Sequence, residues 1–194
     1  MEKADDRRVL RTRKMLSDAL IELMVEKGYD AITIQDIIDR ANIGRSTYYL
    51  HFYDKEQLLL YNIDQLREYL KQINIIHSPF ETQEAFQFNF SMNMLQHAQS
   101  HKTLYTAIVI KKGGTTVINH MRLMISDLIR DDITVLMPYS DLPLPKETMI
   151  DFVANTFLTL LTWWMDQNMP CSAEDVNRIF HKLTLSGLNS LHTK

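Results

Sequence analysis

The sequence predicts an all-α protein with about nine helices, and two observations support this fold class. Apolar residues recur at three- and four-residue steps along most of the chain, which is the spacing of a helix face rather than of a strand. Five glycines and five prolines among 194 residues are too few for the turns of an all-β domain. Since 45% of the residues are hydrophobic and 23% are charged, the chain can bury one or two sizeable cores.

Composition also excludes several classes of protein. Cys171 is the only cysteine, so an intrachain disulfide and a cysteine-built zinc site are both excluded. No run approaches the roughly 20 apolar residues that cross a bilayer, and the amino end lacks the basic-then-apolar order of a secretory signal. We therefore expect a cytoplasmic protein with no membrane partner and no cofactor. The net charge of −3 argues against nonspecific coating of nucleic acid, so any DNA binding must depend on local placement of charge.

The first predicted helix has one continuous apolar face. Its members are Met15, Leu16, Ala19, Leu20, Leu23 and Met24. The helix should end at Gly28, because a residue without Cβ can adopt the left-handed conformation that closes a helix. Basic residues crowd into eight positions near its start: Arg7, Arg8, Arg11, Arg13 and Lys14. This cluster is typical of a DNA-contacting segment and equally of a solvated helix start.

The second predicted helix is short, with about eight residues. Thr33 can cap it with its hydroxyl. Its apolar face contains Ile34, Ile37, Ile38 and Ala41. The next three residues, Asn42-Ile43-Gly44, should form a tight turn, in which Asn42 and Gly44 supply positive φ angles and Ile43 enters the core.

A third helix should begin at once, at Arg45. Its start is polar and rich in hydrogen-bond donors, whereas Tyr48 and Phe52 toward its end should be buried. Asp54 can cap a fourth helix, and Gln57, three residues later, can complete a capping box. The head of the chain is therefore predicted as one longer helix followed by two short ones and a fourth.

Two short helices joined by a three-residue turn match the helix-turn-helix plan, in which the second short helix enters the major groove of DNA. This plan assigns Arg45, Ser46 and Thr47 to base edges, Thr33 and Lys55 to phosphates, and Tyr49 and His51 to the sugar-phosphate strand. We therefore predict a DNA-binding domain over residues 1–60 and a helical ligand-sensing and dimerisation domain over residues 61–194. The alternative is a helical adaptor that uses the same head to bind only protein.

Residues 11–60, approximately, resemble the TetR family of bacterial transcriptional regulators. The matching residues, in the family's order and spacing, are Gly28-Tyr29, Thr33-Ile34, Ile37, Ala41-Asn42-Ile43, Thr47, Tyr49, His51-Phe52, Lys55 and Leu58. The resemblance implies that Thr33, Tyr49, His51 and Lys55 meet the DNA backbone, and that Arg45, Ser46 and Thr47 lie on the recognition helix. The sequence departs from the family pattern at Ile38, Asn42, Gly44 and Ser46, where alanine, glycine, serine and glycine are usual.

The rest of the chain should contain five further helices. We predict them over about residues 82–99 and 102–110, then after a stop at residues 111–114 with Val117 as the first apolar face residue and an end near residue 136, and over about 146–167 and 173–191. Pro170 separates the last two, and Ser172 can cap the last one. The eighth helix is apolar over most of its circumference, which favours a second packing partner. A twofold interface formed by the last two helices should therefore contain Phe157, Leu161, Trp164, Ile179 and Leu183; the alternative is that the eighth helix is the centre of one monomer core.

A homodimer would place two recognition helices about one DNA turn apart, roughly 34 Å, and would read a palindromic operator. We therefore expect a sequence-specific repressor, not an enzyme, that a small apolar ligand can release from DNA. Candidate pocket residues are Phe86, Phe90, Met94, Met121, Met124 and Trp163, although methionine and phenylalanine at helical spacing are more often ordinary core. His97 and His101 stand at the spacing of two metal ligands, but the nearby sequence offers no third ligand, so no metal is expected.

Overall fold

A computed structural model describes residues 2–76, 87–109, 114–136 and 144–190. Within these ranges the structure contains nine α-helices and no strand, which confirms the all-α fold class. The helices are α1 (Glu2–Lys27), α2 (Ile34–Ala41), α3 (Arg45–His51), α4 (Lys55–Ile76), α5 (Asn89–Ser100), α6 (Lys102–Val109), α7 (Gly114–Leu136), α8 (Lys146–Asp166) and α9 (Ala173–Ser190). α5 begins later than the predicted start near residue 82, which lies outside the described residues, as does Phe86.

The chain divides into two compact units. The head unit consists of Met1–Gln65 together with Thr103–His120, and the body unit consists of Leu66–Lys102 together with Met121–Lys194. Each unit is therefore built from two separate segments of the chain. The predicted domain boundary at residue 60 stays a prediction.

In the head unit, α1 packs its apolar face against α2. Leu16, Leu20 and Leu23 of α1 are buried, as are Ile37 and Ile38 of α2. α1 ends as predicted at Gly28, whose φ of 75° is positive and whose N–H donates to the carbonyl of Met24 at 3.1 Å. Its ψ of 154°, however, differs from that of the predicted left-handed helix cap. A short 3₁₀ turn over Tyr29–Ala31 then leads to α2.

The turn between α2 and α3 uses one left-handed residue rather than two. Thr33 caps α2 as predicted: its hydroxyl accepts from the N–H of Asp36, and the Asp36 carboxylate accepts from the N–H of Thr33. Asn42 ends α2 with a φ of 51°. Gly44, however, has a φ of −67° and ψ of 148°, so the prediction of a positive φ there was wrong, because Gly44 is the extended N-cap of α3. Ile43 is half-buried rather than part of the core.

In the body unit, α9 packs against both α5 and α8 around a cluster of aromatic rings. The rings of Phe88, Phe90, Phe157 and Phe180 lie with neighbouring centroids 5.0 to 6.4 Å apart. All four side chains are buried, and such edge-to-face and tilted contacts are favourable geometries for aromatic pairs. This cluster therefore fixes the three helices against one another.

The connection between α8 and α9 is also tied down by side chains. The indole Nε1 of Trp164 donates to the carbonyl of Cys171 at 2.8 Å. Ser172 caps α9 as predicted, since its hydroxyl accepts from the N–H of Asp175 at 3.1 Å and donates to the Asp175 carboxylate at 2.8 Å. Asn168 and Met169 between them have left-handed φ angles of 60° and 61°. The hairpin is therefore held at both sides of its turn.

Candidate nucleic-acid interface

α3 is anchored to the head unit by its buried face. Tyr48 is completely buried, its ring packs edge-to-face on Tyr49 and tilted on Phe52, and its hydroxyl donates to the carbonyl of Asp54 at 2.9 Å. Burial raises the pKa of Tyr48 well above its usual value, so this hydroxyl remains a donor at physiological pH. With Tyr48 directed inward, the opposite side of α3 must face outward.

The outward face of α3 contains the residues predicted to read DNA. Arg45, Ser46, Tyr49 and Leu50 are exposed, and Tyr49 keeps 49% of its surface. Residues four apart on a helix share a stripe, so Arg45 lies in line with Tyr49 and Ser46 in line with Leu50. Thr47 is half-buried at the edge of this face. The structure therefore brings together, on one exposed surface, the arginine, hydroxyl and phenol groups that DNA-binding helices use.

Thr33 is less available than the sequence suggested. Its hydroxyl donates to the Asp36 carboxylate at 2.6 Å, and Lys27 pairs with the same carboxylate at 2.8 Å. The hydrogen bonds from Lys27 and then Thr33 hold the pKa of Asp36 far below its usual range, so the start of α2 carries a fixed negative charge. A phosphate at this helix start would compete with that carboxylate, and the predicted phosphate contact of Thr33 stays a prediction.

Lys55 makes contacts within its own protomer. Its ammonium donates to the carbonyls of Tyr29 at 2.9 Å and Ile32 at 2.8 Å, and lies 4.3 Å from the centroid of the Tyr29 ring. Burial is the main cause that lowers the pKa of Lys55. These contacts join the start of α4 to the segment before α2, a structural role that the sequence reasoning missed. Its predicted phosphate contact stays a prediction.

His51 and Arg13 lie together beside the aromatic core of the head. Burial, and then the nearby charge of Arg13, lower the pKa of His51, so its half-buried ring is held toward the neutral form. The Arg13 guanidinium lies 5.9 Å from the Phe52 ring centroid and 5.6 Å from that of Tyr61, distances typical of cation–π contacts. Arg13 is thus half-buried, whereas the other basic residues of the same cluster are exposed: Arg7, Arg8, Arg11 and Lys14.

The residues predicted for the dimer interface fall into two groups. Phe157, Leu161 and Trp164 are buried within the protomer, whereas Ile179 is 38% and Leu183 is 54% exposed. A side chain that its own chain covers has no surface left for a partner. The exposed side of α8 and α9 instead has a groove of about 450 Å³, lined by Phe152, Asn155, Thr156, Thr159, Leu160 and Leu183.

The predicted ligand-pocket residues also differ in burial. Phe90, Met94, Met121 and Met124 are buried in the body unit, and Phe90 packs edge-to-face on Phe157. Trp163, in contrast, is 42% exposed on the outer side of α8. Phe86 lies outside the described residues. The pocket therefore stays a prediction, and Trp163 is better placed for a partner surface than for an interior pocket.

His97 and His101 stack with ring centroids 4.2 Å apart. Burial, and then the charge of His101, lower the pKa of His97 to about 4. Across the part of the chain that the structure describes, no group of three potential metal ligands is found. In the same residues, none of the helices is both long enough and apolar enough to cross a membrane.

The fold and the exposed face of α3 define a helix-turn-helix protein with a helical body, and comparison with known proteins places this chain among them. Residues 16–61 match the sequence model of the bacterial regulatory proteins of the tetR family, and residues 88–186 match that of the transcriptional regulator C-terminal region. The chain therefore belongs to the TetR family, as the sequence resemblance predicted. It is a DNA-binding transcriptional regulator.

Individual relatives agree with this assignment. The HTH-type transcriptional regulator YxbF of Bacillus subtilis is 43% identical over 82 residues, which are 41% of this chain and 22% of YxbF. The negative regulator IcaR of the biofilm operon icaADBC in Staphylococcus epidermidis is 24% identical over 150 residues, covering 76% of this chain and 79% of IcaR. The chain thus spans less than a quarter of YxbF but most of IcaR.

Solved structures show the same fold. The TetR transcriptional regulator of Streptococcus agalactiae superposes with a TM-score of 0.69 at 22% identity, covering 95% of this chain and 99% of that one. A TetR-family regulator of Syntrophomonas wolfei gives a TM-score of 0.69 at 15% identity, with 91% and 94% covered. At these identities the likeness establishes the fold alone.

Proposed function

We propose that this regulator is a repressor that binds an inverted-repeat DNA site as a homodimer, with α3 of each protomer in the major groove. The observation that carries the proposal is the outward face of α3, where Arg45, Ser46 and Tyr49 are exposed while Tyr48 anchors the opposite side. Arginine can donate two hydrogen bonds to a guanine, serine can pair with either kind of base edge, and a tyrosine hydroxyl can reach phosphate.

The proposed DNA contacts are of two kinds, contacts with bases and contacts with the sugar-phosphate backbone. Arg45, Ser46 and Thr47 read bases, and Tyr49 and His51 hold the sugar-phosphate strand. His51 acts there as a neutral hydrogen-bonding group, because its pKa is lowered. Thr33 and Lys55 reach phosphate only at the expense of their contacts inside the head. Arg45→Ala should weaken operator binding by ~1–3 kcal/mol and relax the preference at one base pair.

The dimer is proposed to form through the exposed side of α8 and α9. Phe152 and Trp163, eleven residues apart, lie on one stripe of α8, and Phe152 and Leu160 line the groove together with Leu183 of α9. Ile179, four residues before Leu183, is also exposed. Phe152 is 47% exposed and Trp163 is 42% exposed. Large apolar side chains gathered in this way mark a protein interaction surface, and a second copy of the chain offers a matching one.

Sedimentation of two matched variants tests the dimer. Leu183→Glu places a charge on the proposed interface and should yield monomers with weakened operator binding. Leu123→Glu changes an equally exposed leucine of α7, since the two are 54% and 52% exposed, and should remain dimeric. Dimers in both variants would contradict the proposed surface, and monomers in both would show only that added charge is not tolerated.

The proposals of repression and of release by a ligand are supported by what is known of similar proteins, not by the geometry of a site in this chain. IcaR is described as a negative transcriptional regulator, and RolR has been solved in complex with the ligand resorcinol. We infer a pocket for a small apolar molecule near the buried residues Phe90, Met94, Met121 and Met124. Titrating the protein–operator complex with a panel of apolar molecules that includes resorcinol tests release; a panel that never lowers operator affinity would count against it.

Selection of bound DNA from a random pool is the decisive experiment for the proposed function. We expect an enriched inverted repeat with half-sites about one helical turn apart, and affinity that falls steeply as salt rises. Enrichment of a single, unrepeated half-site would contradict the dimeric binding mode. A reporter gene placed behind the selected site should then be less active in the presence of the regulator.

A further inference from the structure

An apolar residue stands out on the otherwise polar face of α3. Leu50 is 81% exposed, more than any other leucine among the described residues. Full burial of a leucine side chain is worth about 1.5–3 kcal/mol relative to exposure, so such a position invites a contact that the free protomer does not provide.

The position of Leu50 on the helix indicates where that contact lies. Leu50 follows Ser46 by four residues, so the two form one stripe, next to the stripe of Arg45 and Tyr49. Tyr48, which is completely buried, lies on the opposite side. Leu50 is therefore part of the surface that the proposed function places in the major groove.

Exposure alone does not single out Leu50. Tyr53 is 83% exposed, but it follows α3 in the connection to α4, outside both stripes. Leu10 is 59% exposed on α1. Only Leu50 combines an aliphatic side chain, strong exposure and a place on the outward face of α3.

The major groove offers one apolar group that such a side chain can contact. Thymine presents its C5-methyl group there, whereas the other base edges present hydrogen-bond donors and acceptors. Four residues of α-helix rise about 6 Å, which is less than two base-pair steps of roughly 3.4 Å. A leucine four residues after a base-reading serine therefore reaches a base pair close to the one that the serine reads.

We propose that Leu50 is a specificity-determining residue that reads a thymine methyl group, within about two base pairs of the position read by Ser46. The inference rests on the proposed placement of α3 in the major groove. Each half-site of the operator then contains a thymine whose methyl group is covered by Leu50. Polar contacts from Arg45 and Ser46 set the neighbouring positions.

Replacement of thymine by uracil tests this proposal, because it removes the methyl group and preserves base pairing. Duplexes of the selected operator are prepared with uracil at one thymine position of each half-site in turn. At the thymine that Leu50 contacts, uracil should weaken operator binding by the wild type roughly fourfold for each half-site substituted. This is the effect of losing the burial of one methyl group. Leu50→Ala should bind the thymine and uracil duplexes of that position equally.

Three controls separate this role from general damage. Leu123→Ala removes an exposed leucine of α7 and should keep the full sensitivity to uracil. Leu50→Met retains an apolar side chain of similar length and should keep most of it. Leu50→Ala should leave the salt dependence of binding unchanged, since an apolar contact releases no counterions.

Two results would overturn the role of Leu50. One is a wild-type protein that tolerates uracil at every thymine of the half-site; the other is a Leu50→Ala variant as sensitive as the wild type at the same position. Both require that the wild type binds its operator, so they leave the proposed function intact. Failure to enrich any inverted repeat would instead refute the proposed function itself.

Discussion

The α2–α3 pair and the α8–α9 pair are built with the same local devices. In each pair, one helix starts at a reciprocal capping box: Thr33 with Asp36 starts α2, and Ser172 with Asp175 starts α9. Each pair of helices is joined through left-handed residues, Asn42 in the head and Asn168 and Met169 in the body. Each also has a buried aromatic residue that donates to a backbone carbonyl beyond its own helix, Tyr48 to Asp54 and Trp164 to Cys171.

The two pairs differ in what they present to the outside. α3 exposes Arg45 and Ser46, whose groups suit base edges and phosphates, whereas α8 exposes Phe152 and Trp163, which suit another apolar surface. The caps and anchors fix the geometry of a helix pair and say little about its partner. The proposed partners of the two pairs therefore follow from the few residues on the outward side of each, rather than from the caps and anchors beneath them.

The largest expected effect is the loss of an inner aromatic side chain. Phe180 of α9 is completely buried, with ring centroids of Phe88 at 5.5 Å and Phe157 at 5.2 Å. Phe180→Ala should lower the free energy of unfolding by about 3–5 kcal/mol, because it leaves a cavity among three helices. Urea unfolding at a fixed protein concentration measures this. Lys182→Ala, two residues away and exposed, should change stability by less than about 0.5 kcal/mol.

If Phe180→Ala cost less than about 1 kcal/mol, the aromatic cluster could not be what holds α9 against α5 and α8. The α8–α9 pair would then depend on the buried Trp164, as the α2–α3 pair depends on the buried Tyr48.

A second expected effect depends on pH. Nε2 of His181 accepts from the N–H of Phe88 at 2.9 Å, and Nδ1 lies 2.8 Å from the carbonyl of Asn177, so the neutral ring satisfies both nitrogens. Burial lowers the pKa of His181. The unfolded chain takes up a proton below about pH 6.5 and the folded chain resists it, so stability should fall as the pH drops below that value until the folded pKa is reached.

The slope for one such histidine is at most about 1.4 kcal/mol per pH unit, and it should be reduced in His181→Gln. The pKa of His51 in α3 is also lowered, so His51→Gln provides the matched comparison in the head. Unfolding free energies measured from pH 7 downward give the slopes. An unchanged slope in His181→Gln would mean that His181 is protonated equally in the folded and unfolded chains.

Local patterns made much of this molecule predictable from sequence. The caps at Thr33 and Ser172 and the end of α1 at Gly28 depend on residues close in the chain, so they could be recognised before the structure. The same is true of the exposed Arg45 and Ser46, whose position follows from the helix-turn-helix spacing.

Contacts between distant residues were not predictable in this way. Lys55 donates to the carbonyl of Tyr29, 26 positions away, and no local pattern distinguishes this from a free ammonium. On α8, periodicity reveals two apolar stripes about 100° apart but not which one is inside. The prediction chose Phe157, Leu161 and Trp164 for the interface, and these side chains are buried. One residue earlier, Leu160 lines the exposed groove and Trp163 is 42% exposed.

A third, smaller effect separates the two capping boxes. Thr33→Ala and Ser172→Ala should each lower the free energy of unfolding by about 1 kcal/mol, because each removes the acceptor for a backbone N–H at a helix start. Only Thr33→Ala should also weaken operator binding, since α2 lies beside the proposed interface. Thermal unfolding and operator titration measure the two effects. Equal operator affinity for the two folded variants would leave Thr33 with the role of a cap alone.

The smallest expected effect is a gain of stability at the turn before α3. Gly44 is the N-cap of α3 in an extended conformation, with a φ of −67°, and a Cβ added there would meet nothing nearer than the Thr47 hydroxyl at 4.0 Å. Gly44→Ser should therefore fit, and its hydroxyl can accept from the free N–H of Ser46 or Thr47. The gain should be a few tenths of a kcal/mol, or about 1 °C in Tm.

Gly44→Ala is the control, because it adds the Cβ without the hydroxyl and should not raise Tm. Asn42 provides the contrast within the same turn: its φ of 51° is left-handed, so Asn42→Ala should destabilise the head. If Gly44→Ser and Gly44→Ala raised Tm equally, the gain would come from restricting the unfolded chain rather than from a cap. In that case a serine at position 44 would not act as a cap of α3, in contrast to Ser172 at the start of α9.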